Sequence, residues 1–458
     1  MNHSAVRILL LFLWALVYTG CGGHTFQYQT DSKIRALHDE KPAYPSAKFI
    51  VLSDTHFYNT SLGDSGKAFQ NVMTYDRKLL LESQEIMEEA VQQISRETAD
   101  FLIVCGDLTK DGEMVNHLGM QKVLARIAQS GLKVYVIPGN HDVANGNAVK
   151  FNGHEKIPVE TVSGRAFSEI YKDFGYGQAL YRDPDSLSYI AEPVPGLWIL
   201  ALDSCRWKEN EPGRPPVSGG AFSPETLRWM EDVLIQAKKS KKVVIGLMHH
   251  GILEHYPGNE NYFPMYVVQD HTDISRMLMQ YGVSLMFTGH FHAQDITAKH
   301  FNDPDGALFD IETGSLITYP SAYRVVRITD DQRVMIESRF ITDIPSHPDN
   351  FTAYSKSFLF NNTLRITDRT LKKYWMSDPD REKIAPSVAT AYAAHLCGDE
   401  KKPDSFMETE GLGLWGQIII WVRKDLIEGW WTDLPPADNF IEIDLAAGQV
   451  LETNNAPD

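Results

Sequence analysis

The sequence is poor in cysteine and in basic residues. Its 458 residues include only four cysteines, which are scattered without the spacing of a metal site or a disulfide framework. Acidic residues outnumber basic ones by 60 to 43, giving a net charge of -17, and no run rich in Lys or Arg occurs. This composition argues against polymeric nucleic acid as a partner, because proteins that bind its backbone carry a basic surface. The sequence also lacks internal repeats and low-complexity segments.

The sequence also lacks an apolar run long enough to span a membrane. The main apolar run, from Ile8 to Tyr18, is shorter than the roughly 20 residues of a membrane span. Arg7 precedes it and small residues around Cys21 follow it, as in a cleaved export signal. Residues 1–20 resemble a bacterial lipoprotein signal peptide, which implies export and a lipid on Cys21 that anchors the chain to the cell envelope. A plain secretory signal is the alternative. Residues 21–46 are polar, and we interpret them as a tether.

Five apolar segments, each predicted to be a strand, end in side chains that can bind metal. One of them, Phe101–Val104, is followed by Gly106 and Asp107. One such ending is usually a turn, and an Asn-His pair is often a simple Asx-turn. Five of them indicate a shared site, because ligands bind at the carboxyl ends of strands in open α/β sheets. The sequence therefore predicts a dinuclear metal site formed by Asp54, His56, Asp107, Asn140, His249, His290 and His292.

The order of these segments resembles a known family. Asp54-x-His56, Gly106-Asp107, Gly139-Asn140-His141-Asp142, His249 and Gly289-His290-Phe291-His292 are similar to the five blocks of the calcineurin-like metallophosphoesterases, over about residues 48–330. The resemblance implies an α/β fold, a four-layer αββα sandwich of two mixed sheets flanked by helices. We expect this domain to span residues 47–345. A helical C-terminal domain over residues 346–458, rich in aromatics, would act as a lid, an oligomer interface or a buttress.

The family's site residues can be carried over to matching positions. Asp54, His56 and His292 would hold one metal, and Asn140, His249 and His290 the other. Asp107 would bridge the two, and His141 would stabilise the phosphoryl group or protonate the leaving oxygen. His250 would lie beside the ligands without coordinating. Mixed nitrogen and oxygen donors suit two divalent ions of Mn, Fe, Zn or Co. Such a pair clamps phosphoryl oxygens and activates a bridging water as the nucleophile.

The residues around the blocks narrow the expected reaction. The Asp-Arg-Gly of phosphoprotein phosphatases is missing after Asp107, and Lys110 stands where purple acid phosphatases have a tyrosine ligand. The segments 106–109 and 289–295 are most similar to bacterial cyclic-nucleotide and glycerophosphodiester phosphodiesterases. We therefore expect hydrolysis of a small phosphodiester. A phosphomonoesterase and a non-catalytic, metal-holding surface lipoprotein are the alternatives. Tyr256, Tyr262 and Phe263 either face a ring-bearing substrate or pack their loop down.

Overall fold

The structure is a computed structural model that describes residues 24–451. The predicted signal peptide and Cys21 lie outside these residues. Among the described helices, none combines the length and the apolar character needed to cross a membrane.

One seven-stranded sheet carries the first three blocks. One of its inner strands, Ala47–Leu52, pairs in parallel with Phe101–Val104, which pairs in parallel with Lys133–Val136. These short segments are buried and rich in β-branched residues, as parallel strands covered on both faces are. The strand order across the sheet is Gln449–Leu451, Phe440–Asp444, Arg333–Phe340, Ala322–Ile328, Ala47–Leu52, Phe101–Val104 and Lys133–Val136. Asp54, Asp107 and Asn140 therefore follow adjacent parallel strands at one edge.

A second seven-stranded sheet carries the other two blocks. Val243–Met248 precedes His249, and Leu285–Thr288 precedes His290 and His292; these two strands are parallel neighbours. The strand order is Asp295–Asn302, Asp305–Glu312, Leu285–Thr288, Val243–Met248, Leu197–Leu202, Tyr189–Val194 and Tyr181–Arg182. A separate hairpin pairs Val149–Asn152 with Glu155–Pro158.

The two sheets pack face to face. Phe49 of the first sheet lies 5.3 Å from Phe287 of the second, measured between ring centroids, within one buried cluster. Helices Ser83–Ile94 and Met114–Gln129 also contribute to this cluster, whereas Pro224–Lys239 and His271–Gln280 cover the other face of the second sheet. Further helices are Gly66–Met73, Gly164–Ile170 and Asn259–Tyr262. The predicted fold class, two mixed sheets flanked by helices, is confirmed.

The C-terminal region is mainly helical, as predicted. Its helices are Phe351–Lys373, Asp378–His395 and Leu414–Gly429. The chain then returns to the first sheet, where Phe440–Asp444 pairs with Arg333–Phe340 and with Gln449–Leu451. The sequence reading of residues 346–458 missed these two strands. The first is only five residues long, and its apolar Ile441 and Ile443 become buried only through the neighbouring strand.

The segment interpreted as a tether is packed against the body. Gln27–Thr30 and Ser32–Arg35 are short helices, and Phe26 and Tyr28 are buried. The carboxylate of Glu231 accepts hydrogen bonds from the backbone nitrogens of Gln27, at 2.7 Å, and Tyr28, at 3.1 Å. The tether interpretation is therefore wrong for residues 26–39, because two aromatic side chains and one buried acceptor hold them in place.

Candidate metal centre

The strand ends bring the predicted ligands together in two groups. Asp54, His56 and His292 form one, and Asp107, His249 and His290 form the other. Within each group the candidate ligand atoms lie within 4.8 Å of one another. All six side chains are buried except that of His292, which is partly exposed. The structure thus brings together six of the seven predicted ligands, with Asp107 in the group of His249 and His290.

Asp107 lies between the two groups. Its Oδ2 is 3.5 Å from Nε2 of His56 in one group and 3.5 Å from Nε2 of His249 in the other. Its Oδ1 accepts a hydrogen bond from the His141 backbone nitrogen at 2.8 Å. Asn140 joins the second group, because its Oδ1 is 3.1 Å from Nε2 of His249. One carboxylate oxygen thus faces both groups.

Backbone carbonyls orient two of the histidine rings. Nδ1 of His249 lies 2.7 Å from the carbonyl oxygen of Cys105, and Nδ1 of His56 lies 3.3 Å from that of Thr109. A carbonyl only accepts, so each Nδ1 carries the proton in these bonds. The Nε2 lone pairs are then directed to the centre, which is the tautomer that metal-binding histidines use.

In the two ligand groups, two buried side-chain atoms have no hydrogen-bond partner among the described residues. They are Oδ1 of Asp54, which lies 3.2 Å from Nε2 of His292, and Nε2 of His290. A buried polar atom without a partner costs about 1–3 kcal/mol. A cation in each group would satisfy both atoms. The donor set of carboxylate, amide oxygen and imidazole also fits divalent Mn, Fe, Zn or Co.

The backbone at the site is strained. Five of the seven predicted ligands have a positive φ: Asp54 at 48°, His56 at 35°, Asp107 at 49°, His290 at 79° and His292 at 74°. Each such residue costs on the order of 1–3 kcal/mol, and such strain concentrates at functional sites. The surrounding structure therefore holds these side chains in positions that an unconstrained chain would avoid.

The electrostatics couple Asp107 to the histidines. Burial alone would raise the pKa of the Asp107 carboxyl, but His249, His141 and His56 hold that pKa well below its usual value. In return, Asp107 overcomes the effect of burial and raises the pKa of His249 to about 9. The Asp107 carboxyl therefore stays negatively charged between the histidines of the centre.

His141 lies at the open side of the centre. Its side chain is 24% exposed, and its ring centroid is 5.1 Å from that of His56. Its Nδ1 lies 2.8 Å from Oδ1 of Asp111, so this carboxylate fixes the ring. Burial lowers the pKa of His141, but Asp107 and Asp111 outweigh it and raise the pKa above the ordinary value.

His250 and Asp142 have supporting positions. Nδ1 of His250 is 2.7 Å from the Ser204 hydroxyl and Nε2 is 2.9 Å from the Ser218 carbonyl, so both nitrogens are engaged. Burial lowers the pKa of His250 to about 3. The Asp142 carboxylate accepts from the backbone nitrogens of Leu108, Thr109 and Gly139 at 2.9–3.0 Å. It thereby ties the loop after Asp107 to the loop after Pro138.

Two residues that the sequence analysis did not single out lie close to the site. Burial lowers the pKa of His56 and the charge of Lys78 lowers it further, whereas at His141 the same charge only opposes the raised pKa. The ring centroid of Tyr266 is 4.8 Å from that of His290. Lys78 lies between two helices and Tyr266 lies 18 residues after the strand Val243–Met248, so neither directly follows a strand and no motif marks them. Of the three aromatic residues in the loop after His249, Tyr256 is fully buried, whereas Tyr262 and Phe263 line a neighbouring cavity.

Comparison with known proteins identifies the family of the chain. Residues 47–294 match the calcineurin-like phosphoesterase family, so the chain belongs to it. The chain is also similar to a dimetal phosphatase from Danio rerio (16% identity, TM-score 0.44, covering 66% of this chain and 97% of that one). Two similar structures come from Thermus thermophilus. One is TT1561 (10% identity, TM-score 0.37, covering 65% of this chain and 99% of that one). The other is a 5'-nucleotidase precursor (11% identity, TM-score 0.37, covering 70% of this chain and 59% of that one). No curated protein matches the chain.

Proposed function

We propose that the chain is a phosphodiesterase that uses two divalent cations to hydrolyse a small phosphodiester. The observation that carries this proposal is the placement of Asp107 Oδ2, 3.5 Å from a histidine of each ligand group. Two bound cations would neutralise phosphoryl oxygens and lower the pKa of a water between them. Asp54, His56 and His292 would hold one, Asn140, His249 and His290 the other, and Asp107 both.

His141 is the proposed group for the leaving oxygen. With Nδ1 directed at Asp111, Nε2 is the ring atom left to face the substrate. A protonated imidazole there stabilises negative charge on the phosphoryl group or donates its proton to the departing oxygen. The hydrogen bond between Nδ1 and the Asp111 carboxylate favours this protonated form. Lys78 adds positive charge from the neighbouring loop.

The local charge favours diesters over monoesters. A dianionic monoester requires more positive charge than a diester, which carries one negative charge. Lys110, in the block after Asp107, forms an ion pair with Asp111 and lies 3.8 Å from Glu113, so its charge is already balanced. Arg77 lies 4.2 Å above the ring of Tyr392, in the C-terminal region. With Lys110 and Arg77 engaged in these contacts, Lys78 and His141 supply the positive charge near the substrate. That charge suits a diester better than a monoester.

A comparison of two esters tests this proposal. Purified full-length protein is loaded with Mn, Fe, Zn or Co, and kcat/KM is measured for bis(p-nitrophenyl) phosphate and p-nitrophenyl phosphate at one pH. We expect a preference for the diester, with both activities lost in Asp107→Ala. Cyclic nucleotides (2′,3′ and 3′,5′) and glycerophosphodiesters then define the substrate. A monoester preference would make the protein a phosphomonoesterase, and absence of turnover with metals bound would favour a non-catalytic role.

We also propose that the protein is exported and anchored to a bacterial cell envelope through a lipid on Cys21. The support is the sequence pattern of residues 1–20. Mass spectrometry of the mature amino terminus from the native host tests this, with a diacylglyceryl-modified Cys21 as the expected result. An unmodified amino terminus at or beyond residue 21 would contradict it.

A further inference from the structure

A mainly apolar cavity of about 470 Å³ lies between the C-terminal helices and the metal centre. Its lining includes Phe291, Leu371, Ile384, Val388, Ile420 and Trp430. The volume is within the range of small-molecule sites, and an apolar lining with a few polar groups is their usual character. A small polar diester would leave this cavity unused. The cavity therefore calls for a ligand with an apolar part.

The inner end of the cavity reaches residues that pack beside the metal ligands. Tyr266 and Phe291 line it, and Phe291 stands in the chain between His290 and His292. The ring centroid of Tyr266 is 4.8 Å from that of His290 and 4.5 Å from that of Phe291. A molecule in the cavity would thus contact the side chains that support the second ligand group.

The outer end reaches the protein surface. Tyr374 and Arg423 line the cavity there and are both exposed, and Arg423 donates a 3.2 Å hydrogen bond to the Tyr374 hydroxyl. The exposed Trp415 donates to the Tyr374 carbonyl at 2.8 Å. The rim of the cavity is thereby joined to the helix Leu414–Gly429.

This helix exposes an apolar stripe to solvent. Leu414 is 78% exposed and Trp421 73%, and between and beside them Trp415, Ile418 and Val422 are 40–52% exposed. The spacing i, i+4, i+7, i+8 is the one that normally faces a protein core. Trp375, 86% exposed, follows the neighbouring helix Phe351–Lys373. An exposed apolar surface of this kind marks an interaction site.

The composition of the surface favours a lipid membrane as its occupant. Tryptophan and tyrosine concentrate where proteins meet lipid headgroups. Exposed basic side chains accompany the tryptophans: Lys372 and Lys373 directly before Tyr374 and Trp375, and Arg423 and Lys424 directly after Val422. These positive charges stand out in a chain of net charge -17 and complement anionic headgroups. Two acidic residues, Asp425 and Glu428, follow them on the helix, and Glu428 is paired with Lys402 at 3.3 Å.

We propose that this surface docks on an anionic lipid membrane, and that the cavity behind it takes the acyl or alkyl chain of a phosphoester lipid whose phosphate lies at the metal centre. The inference rests on the proposed function and names its substrate class. It requires no chemistry beyond that hydrolysis. The membrane surface supplies the substrate, and the cavity accepts its tail.

Vesicle binding tests the surface. Full-length wild type and the variants Trp421→Ser and Trp375→Ser are sedimented with phosphatidylglycerol vesicles and with phosphatidylcholine vesicles. All proteins carry the same amino terminus, so any binding by that end is common to them. We expect each variant to bind phosphatidylglycerol vesicles about tenfold more weakly, because interfacial binding scales with buried apolar area. Leu180→Ser, at an exposed leucine elsewhere, serves as the matched control and should bind as wild type.

Unchanged vesicle binding in both tryptophan variants would overturn the proposed surface. Sedimentation velocity tests whether a second copy of the chain, rather than a membrane, covers this surface. A wild-type dimer that Trp421→Ser dissociates would make this face a contact between two copies of the chain, and would also overturn the proposal.

Substrate chain length tests the cavity. The kcat/KM values of decyl and methyl p-nitrophenyl phosphate are compared below the micelle concentration. We expect the decyl ester to be favoured by at least about 10²-fold in wild type, since several methylenes become buried. Ile366→Trp, which fills the cavity, should bring this ratio to within about threefold of one. Thr370→Trp, at an exposed lining position, repeats the test should the first variant fold poorly, and Leu180→Trp should keep the wild-type ratio.

The outcomes separate the two proposals. Hydrolysis of neither ester would contradict the phosphodiesterase function itself. Equal kcat/KM for the two esters in wild type, or a preference that the tryptophans in the cavity leave intact, would overturn the lipid-chain site while the phosphodiesterase function stands.

Discussion

The seven candidate ligands differ in how many of the two groups each one serves. Asp107 serves both, through an oxygen 3.5 Å from His56 and from His249, whereas the others belong to one group. We therefore expect Asp107→Ala to reduce bound metal from two ions per chain to one or none, measured by elemental analysis after metal loading. Asp203→Asn is the matched control. Asp203 also directly follows a buried strand, but its carboxylate accepts from Leu187, Cys205 and Trp207 and belongs to neither ligand group, so two ions should remain. A wild-type content near zero after loading would contradict the site.

His141 should affect turnover without affecting metal content. It lies beside His56 but outside both ligand groups, and Asp111 holds its ring. We expect His141→Ala to keep its metals and to lose activity by on the order of 10²-fold or more, as when a general acid or electrostatic stabiliser is removed. Steady-state kinetics and elemental analysis on the same sample measure both. His154→Ala, at an exposed histidine, should behave as wild type. Loss of activity in proportion to lost metal would show that His141 has another role.

At the scale of the elements, the loops after the strands leave no room for a side chain at certain glycines. A Cβ on Gly139 would overlap the backbone nitrogen and Oδ1 of Asp107. Gly139→Ala should therefore displace Asp107, weaken metal binding and cost about 1–3 kcal/mol of unfolding free energy, as overpacking does. Gly219→Ala is the control, since its Cβ would meet nothing nearer than 3.8 Å. Metal titration and denaturant unfolding of the two variants test the difference. Equal metal binding and equal unfolding free energy in the two variants would contradict the close contact between Gly139 and Asp107.

A buried ion-pair cluster joins the loop after His249 to the last strands of the second sheet. Nδ1 of His255 is 2.7 Å from Oδ1 of Asp295, and its Nε2 is 3.2 Å from Oδ2 of Asp310. Burial would lower the pKa of His255, but these carboxylates raise it well above the ordinary value. His255→Gln leaves them without a counterion, and should lower the unfolding free energy by about 3–5 kcal/mol.

The pH dependence of that loss follows from the raised pKa. The folded state binds the His255 proton more tightly than the unfolded state. Its stabilising contribution is therefore fully present below the unfolded pKa of about 6.5, and is lost as the pH rises through the folded pKa. Denaturant unfolding of wild type and His255→Gln should show a constant difference from about pH 5 to 6.5 that shrinks at higher pH. A difference that grows with pH would contradict a charged His255.

The sequence predicted those elements whose signal is local. Each block combines a short apolar strand with donors directly after it, so Asp54, Asp107 and His249 could be located without tertiary information. Lys78 and Tyr266 could not, because their loops reach the site only through the packing of the whole domain. Residues 26–39 and the strand Phe440–Asp444 were missed for a similar reason. Their apolar residues are few and become buried only against distant parts of the chain.

At the scale of the whole molecule, the C-terminal region braces the metal-binding loop. The Gln294 backbone nitrogen donates to the Leu396 carbonyl at 3.2 Å, and that of Ile296 donates to Oδ1 of Asp438 at 2.7 Å. Phe291 packs on His395, with ring centroids 5.1 Å apart. These contacts flank His290 and His292, two of the strained ligands. The region is thus structurally joined to the centre, which supports the role of buttress among those considered from the sequence.

Metal binding should stabilise the whole molecule, because the folded chain holds the site at a cost. Five ligands have strained backbone, and the buried Oδ1 of Asp54 and Nε2 of His290 have no partner among the described residues. The unfolded chain does not assemble these donors, so cations bind the folded state selectively. Each site contributes about 2.7 kcal/mol when free metal is 100 times its Kd.

We therefore expect wild type to melt several degrees lower in a chelator than in saturating Mn or Zn, as measured by calorimetry. Asp107→Ala should have a much smaller difference between the two conditions, since it cannot hold both ions. Asp203→Asn, which leaves the ligand groups complete, should retain the full difference even if its own melting temperature changes. The comparison of chelated with loaded protein within each variant separates lost metal binding from general destabilisation. Equal metal-dependent shifts in Asp107→Ala and wild type would mean that the cations bind and stabilise the chain at another place. The metal centre assigned to Asp107 and the two ligand groups would then be wrong.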